Sequence, residues 1–181
     1  NPTGSVKDRA AYSIICDKIA KKELVKGKTI LDASSGSYGC SIAMIGHVLG
    51  YPVKVVAGSK ITEDKISFIR YFGAELIQYG NYTIDGNKYC KDEILCKDRE
   101  DYCFLDQLHN YANPEAHYKA TGPEIIENLP DIEAIVFSLG SGGTLCGVGR
   151  YFKEVKPETR IIAVTAAKGT KIPGTGAFED G

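Results

Sequence analysis

The chain has 181 residues, with 22 lysines and arginines against 23 aspartates and glutamates. That near-balance gives no electrostatic reason to expect nucleic acid or an anionic membrane as a partner. Apolar residues make up 43% and charged residues 25%, the composition of a globular protein long enough to bury a sizeable core, and no apolar run or N-terminal leader pattern argues for membrane insertion or export, so the expected location is cytoplasmic.

The first element begins in Asn1-Pro2-Thr3-Gly4-Ser5-Val6-Lys7-Asp8-Arg9. Ser5 followed three residues later by Asp8 matches a capping box, with Ser5 as N-cap, Val6 and Lys7 opening the helix, and Asp8 reaching back to the Ser5 amide. Lys7 is then a cation in a first turn, where exposed amides and the positive end of the helix dipole disfavour charge by roughly 0.3–1 kcal/mol. A lysine pushed toward its neutral amine suits imine chemistry. On the cap alone, an exposed lysine that tolerates its position is the commoner outcome.

Ala11, Ile14, Ile15 and Ile19 carry this helix forward at helical spacing, and Thr29 to Ala33 reads as a short strand. The loop Ser34-Ser35-Gly36-Ser37-Tyr38-Gly39 follows, then a helix through Ile42, Ala43, Ile45 and Leu49 that stops at Gly50. Pro52 to Ala57 is a strand, Thr62 to about Phe72 a helix closed by Gly73, and Ala74 to Tyr79 another strand. A polar helix is expected over 85–98, a strand over Tyr102 to Leu105, a loop over 106–114 ending at Pro114, and a helix over Glu115 to Asn128. Ala134 to Leu139 is an uninterrupted apolar run that reads as a strand buried on both faces. Gly140-Ser141-Gly142-Gly143-Thr144 turns into a helix to about Lys156, and Arg160 to Thr165 is the last strand. Strands alternating with helices call for parallel sheets flanked by helices, an α/β fold whose ligands bind outside the carboxyl ends of the strands.

Glycines at 140, 142 and 143 let several amides converge on an anion, and the helix start adds its dipole, so this loop reads as a phosphate cradle or, alternatively, a tight structural turn. A P-loop would need Gly-Lys-Ser/Thr at its end, whereas Leu145 follows Thr144 here, and Leu145 stands where the dinucleotide fingerprint needs a glycine. ATP and NAD are therefore poorly supported. The 34–39 loop also precedes a helix, and its amides and hydroxyls suit an α-carboxylate. The six cysteines form no CxxC pair, and His109 and His117 lack ligand spacing; the expectation is reduced thiols, structural histidines and no metal.

The segment around Lys7 resembles the cofactor-lysine motif of the cysteine synthase and cystathionine β-synthase family, the fold-type II enzymes that use pyridoxal 5'-phosphate (PLP). The 34–39 and 140–144 loops resemble that family's substrate and cofactor-phosphate loops, in the same order along the chain. The resemblance implies that Lys7 carries PLP, that Gly140, Ser141, Gly142, Gly143 and Thr144 hold its phosphate and that Ser37 touches its ring. Ser34, Ser35, Gly36, Tyr38 and Gln107 would bind substrate, with Asn110 beside Gln107, and Gly174-Thr175-Gly176-Ala177 resembles the family's glycine turn near the active-site mouth. Residues 1–110 would form a smaller substrate-side lobe and 111–181 the start of a larger phosphate-binding lobe.

The implied activity is β-replacement on an O-activated serine, a sulfur nucleophile adding to an aminoacrylate intermediate, with small-molecule partners only and a homodimer when full length. The related alternatives are a cystathionine β-synthase, a serine/threonine dehydratase-type elimination and a catalytically silent binding subunit. Ser37 and Tyr38 stand where the family has asparagine and threonine, so a shifted substrate preference is expected, with the Tyr38 ring narrowing the mouth of the carboxylate site. Family members extend beyond both ends of this sequence, so a fragment is expected.

Overall fold

The computed structural model describes residues 1–34, 36–167, 169–170, 172 and 174–176. The chain divides between Asn110 and Tyr111 into two compact units. Ser35 and Ala177, each assigned a place in a motif above, lie outside the described residues.

The first unit is a four-stranded parallel sheet in the order β3-β2-β1-β4, built from β1 (Thr29–Ala33), β2 (Val53–Ala57), β3 (Glu75–Gln78) and β4 (Tyr102–Phe104). Helices α1 (Lys7–Ala20), α2 (Ser37–Leu49), α3 (Glu63–Tyr71) and α4 (Thr83–Tyr89) separate the first strands. Ile14 and Ile15 of α1, Ile30 and Leu31 of β1, Ile42 of α2, Val55 and Val56 of β2 and Ile69 of α3 are fully buried and make the core. Gly50, at φ 75°, ends α2 in the left-handed conformation that its missing Cβ permits.

The polar helix expected over 85–98 starts earlier and is not regular. After α4 the chain runs through a π-helical stretch, Cys90–Leu95, then α5 (Cys96–Asp98) and a 3-10 turn, Arg99–Asp101. The wide turn seats Cys90 in the cluster of Leu31, Ala33 and Val56, with Ile94 and Leu95 packed at its edge.

The second unit pairs β5 (Ala134–Ser138) in parallel with β6 (Arg160–Val164), and α6 (Ala112–Ala116), α7 (Gly122–Asn128) and α8 (Gly143–Val155) complete it. Pro114 does not end the preceding loop but lies within the first turn of α6, where its missing amide has no helical partner to lose. A π-helical stretch, His117–Thr121, joins α6 to α7. β5 is not buried on both faces: Val136 is 62% exposed, because the two strands pair only with each other and one face carries no covering layer among the described residues.

Candidate active site

In the first unit the helix that bears Lys7 begins without the expected capping box. Val6 is the N-cap in a helical conformation, and its own side chain caps nothing. The Ser5 hydroxyl accepts from the Lys7 amide at 3.2 Å. Asp8 turns instead to Thr3, accepting from its amide at 2.9 Å and its hydroxyl at 2.6 Å, and takes a third bond, 2.6 Å, from the Ser41 hydroxyl of α2. A buried carboxylate gains more from three donors than from one backbone amide, and the result ties the 1–6 segment to α2. Lys7, at the first helical position, is partly buried, and that burial lowers its pKa below the ordinary lysine value.

The 34–39 loop leaves the carboxyl end of β1. The Ser34 hydroxyl is buried and accepts from the Gly39 amide at 2.8 Å and the Gly36 amide at 3.2 Å, so it braces the loop from within. Apart from the Ser34 hydroxyl on the Gly39 amide, no side-chain cap of α2 is seen among the described residues, and no acidic residue lies in its first turn. The dipole end is thereby left to an anion. Ser37, the first residue of the helix, is half-buried. Lys65 of α3 lies across Gly36, its Nζ 3.1 Å from where a Cβ would stand, which adds a cation that no sequence motif marked.

Tyr38 does not stand at the mouth of a carboxylate site. It is only 2% exposed, and its phenol is buried beside the Asp32 carboxyl of β1. The second position of α2 faces inward onto the sheet, so the ring becomes core and only the backbone is left to the loop. Gln107, after the neighbouring strand β4, is buried, with its side-chain amide donating to the Ala33 carbonyl at 2.8 Å. Asn110 donates to the Leu105 carbonyl at 3.0 Å.

In the second unit the 140–144 loop joins β5 to α8. Gly142 is the N-cap at φ 81°, a conformation that favours glycine, and the first turn has neither a side-chain cap nor an acidic residue. Uncapped amides at the start of a 13-residue helix fit a phosphate. Glycine is required at 143 for a reason that was not visible in the sequence: a Cβ there would sit 2.0 Å from Asn113 Oδ1. Asn113 is buried and donates to the Ser141 hydroxyl at 3.3 Å. His117, also buried, lies 3.3 Å from the Thr144 hydroxyl through Nε2 and 2.9 Å from the Thr121 hydroxyl through Nδ1. The glycine turn Gly174 to Gly176 closes on the start of this loop, with the Gly176 amide donating to the Leu139 carbonyl at 2.6 Å. Asn113 and His117 therefore brace the two hydroxyls of the cradle from 28 and 27 residues away, a distance at which sequence spacing carries no signal. Among the described residues no group of His, Cys, Asp and Glu is placed to hold a metal ion, and no helix is long and apolar enough to cross a membrane.

Residues 1–178 match the family model described as "Pyridoxal-phosphate dependent enzyme". The cysteine synthase of Aquifex aeolicus is 37% identical over 169 residues, covering 92% of this chain and 52% of that protein. Among solved structures, O-ureido-L-serine synthase superposes with a TM-score of 0.89 at 30% identity over 98% of this chain and 60% of its own. Cysteine synthase of Entamoeba histolytica does so with 0.87 at 30% identity, over 97% and 55%. The chain spans about half the length of the curated relatives it matches.

Proposed function

This chain belongs to the pyridoxal-phosphate dependent enzymes, and from that premise we propose that it serves β-replacement on an activated serine, with a sulfur nucleophile. Relatives named cysteine synthase and O-ureido-L-serine synthase support the reaction class. Lys7 carries the reading: it opens α1 and its pKa is lowered by burial.

Bound PLP supplies an electron sink for charge developing at the substrate Cα. Lys7 Nζ, its pKa lowered by burial, would hold the cofactor and is the base that would take the proton from the substrate Cα. The uncapped start of α8, with the Ser141 and Thr144 hydroxyls, holds the phosphate. The start of α2, with Gln107 and the Lys65 ammonium, holds the substrate carboxylate, and Ser34 keeps the loop in shape. Residues 1–110 are then the substrate-side lobe and 111–181 part of the phosphate-binding lobe.

The assignment is tested by reducing the PLP-loaded protein with borohydride and mapping peptides by mass spectrometry. The pyridoxyl group is expected on Lys7, and finding it on another lysine or on none overturns the reading. Product analysis with O-acetylated and O-phosphorylated serine plus sulfide then identifies the leaving group; release of pyruvate without cysteine would replace β-replacement by elimination.

A further inference from the structure

Beneath the 34–39 loop lies a carboxyl group that the chemistry above leaves unused. Asp32, in β1, is fully buried. Its Oδ1 accepts from the Ala33 amide at 2.8 Å and its Oδ2 from the Gln107 amide at 3.0 Å. Gln107 then returns its side-chain amide to the Ala33 carbonyl. Two amides on one carboxyl and one side chain on the adjacent carbonyl thus fasten Gln107 to the end of β1, where the loop begins.

We propose that Asp32 is a positioning residue for the substrate carboxylate, locking Gln107 against the 34–39 loop, and that the amino acid binds best when Asp32 is protonated. The proposal rests on the assignment of Gln107 and that loop to the carboxylate.

The electrostatics of the cluster supply the second half. Burial pushes the Asp32 carboxyl up to about 7, against the opposing hydrogen bonds from the Ala33 and Gln107 amides. Among the described residues three titratable groups face it, Tyr38, Cys90 and Asp106. Tyr38 faces it from α2, its own pKa raised by burial and by Asp32. Cys90 faces it from the π-helical stretch, its thiol pushed up to about 12 by burial and so neutral. Asp106 follows β4; burial works to raise its carboxyl, but hydrogen bonds from His109 and Asn87 and the Lys91 ammonium outweigh this and hold it low and charged. Lys91 is committed to Asp106 at 3.3 Å. Asp32 therefore already bears one negative neighbour, and a substrate carboxylate at the loop adds another. Binding should take up a proton, and affinity should fall as Asp32 ionises.

The test is isothermal titration calorimetry of the PLP-loaded protein with L-serine, whose hydroxyl is a poor leaving group, from pH 6 to pH 8. Running each titration in two buffers of different ionisation enthalpy reads proton uptake directly. For the wild type, Kd should rise at least about threefold across this range, bounded by tenfold per pH unit for a single linked proton, with net proton uptake near pH 7. Asp32→Asn, which cannot ionise, should bind with a Kd independent of pH in this window and with no proton uptake. Asparagine cannot accept at its nitrogen and so loses one of the two amides. Tyr38→Phe is the second variant: it removes the polar phenol buried beside the anion and should move the midpoint of the pH profile upward. A wild-type profile retained in Asp32→Asn, or a midpoint unmoved in Tyr38→Phe, overturns the proposal while leaving carboxylate binding standing. No binding of L-serine by the PLP-loaded wild type at any pH overturns the carboxylate assignment, and this proposal with it.

Discussion

Substituting Gly143 by alanine probes how the phosphate cradle is built. A Cβ at 143 would lie 2.0 Å from Asn113 Oδ1, 2.4 Å from Cγ and 2.7 Å from Nδ2, so the whole amide must move rather than one atom. Asn113 is buried and holds Ser141, and displacing it breaks that bond, about 0.5–1.5 kcal/mol. Overpacking adds roughly 1–3 kcal/mol, so Gly143→Ala should cost about 2–4 kcal/mol of folding free energy before any cofactor is present. Gly142 is the control: its Cβ would find nothing closer than 3.9 Å, and its penalty is the left-handed φ of 81°, roughly 1–2 kcal/mol. Urea denaturation of both variants without PLP should rank them in that order. Asn113→Ala added to Gly143→Ala should relieve the clash, with a coupling of about 1 kcal/mol or more. A Gly143→Ala protein within about 0.5 kcal/mol of wild type, or additive effects in the double variant, would refute the account.

Three further outcomes are expected. Asp8→Ala removes the acceptor of three hydrogen bonds, one of them from the buried Ser41 hydroxyl, and should lower stability by about 2–4 kcal/mol; an unchanged urea midpoint would show that the tether is incidental. The folded-state pKa of Lys7 is lowered, so the folded protein binds fewer protons than the unfolded chain between that pKa and the ordinary lysine value. Stability without PLP should therefore gain with rising pH in that window, and Lys7→Met should remove this increment; identical slopes in the two proteins would contradict the burial of the amine. Tyr38→Thr should act as a core truncation costing roughly 3 kcal/mol; a thermal melt that does not move, together with a changed substrate preference, would return Tyr38 to the surface of the site.

The strand positions were legible in the sequence almost residue by residue, because short apolar runs punctuated by Gly50, Gly73 and Gly140 leave little freedom of placement. What those runs could not convey was how many layers cover them, and so AIVFSL was read as doubly buried although Val136 faces solvent. Ser5 and Asp8 met the spacing of a capping box, yet the pattern could not reveal that Thr3 and Ser41 would offer the carboxylate three donors. The motif residues around Lys7 and 140–144 were visible because their chemistry depends on local backbone. Asp32, Asn113 and Lys65 were missed, and His117, expected to be structural, was not placed beside the cradle, because each acts on residues more than 25 positions away through contacts that only the folded chain creates. The inward turn of Tyr38 was hidden for a related reason: the phase of α2 depends on where its first residue falls, and one step along a helix swings a side chain by about 100°.

The open face of the two-stranded sheet also bears on how the protein must be handled. Val136 pairs in register with Ile162, and Val164 follows two residues on, so these three side chains form an apolar strip on one face, at 62%, 40% and 48% exposure. Among the described residues both strands are also edges of their sheet. Such a strip favours colloidal association, and sulfate or phosphate buffers, which strengthen apolar burial, should hasten precipitation. Dilute samples in low-salt chloride buffer should keep the titrations described above free of turbidity, and light scattering against ammonium sulfate concentration would locate the onset.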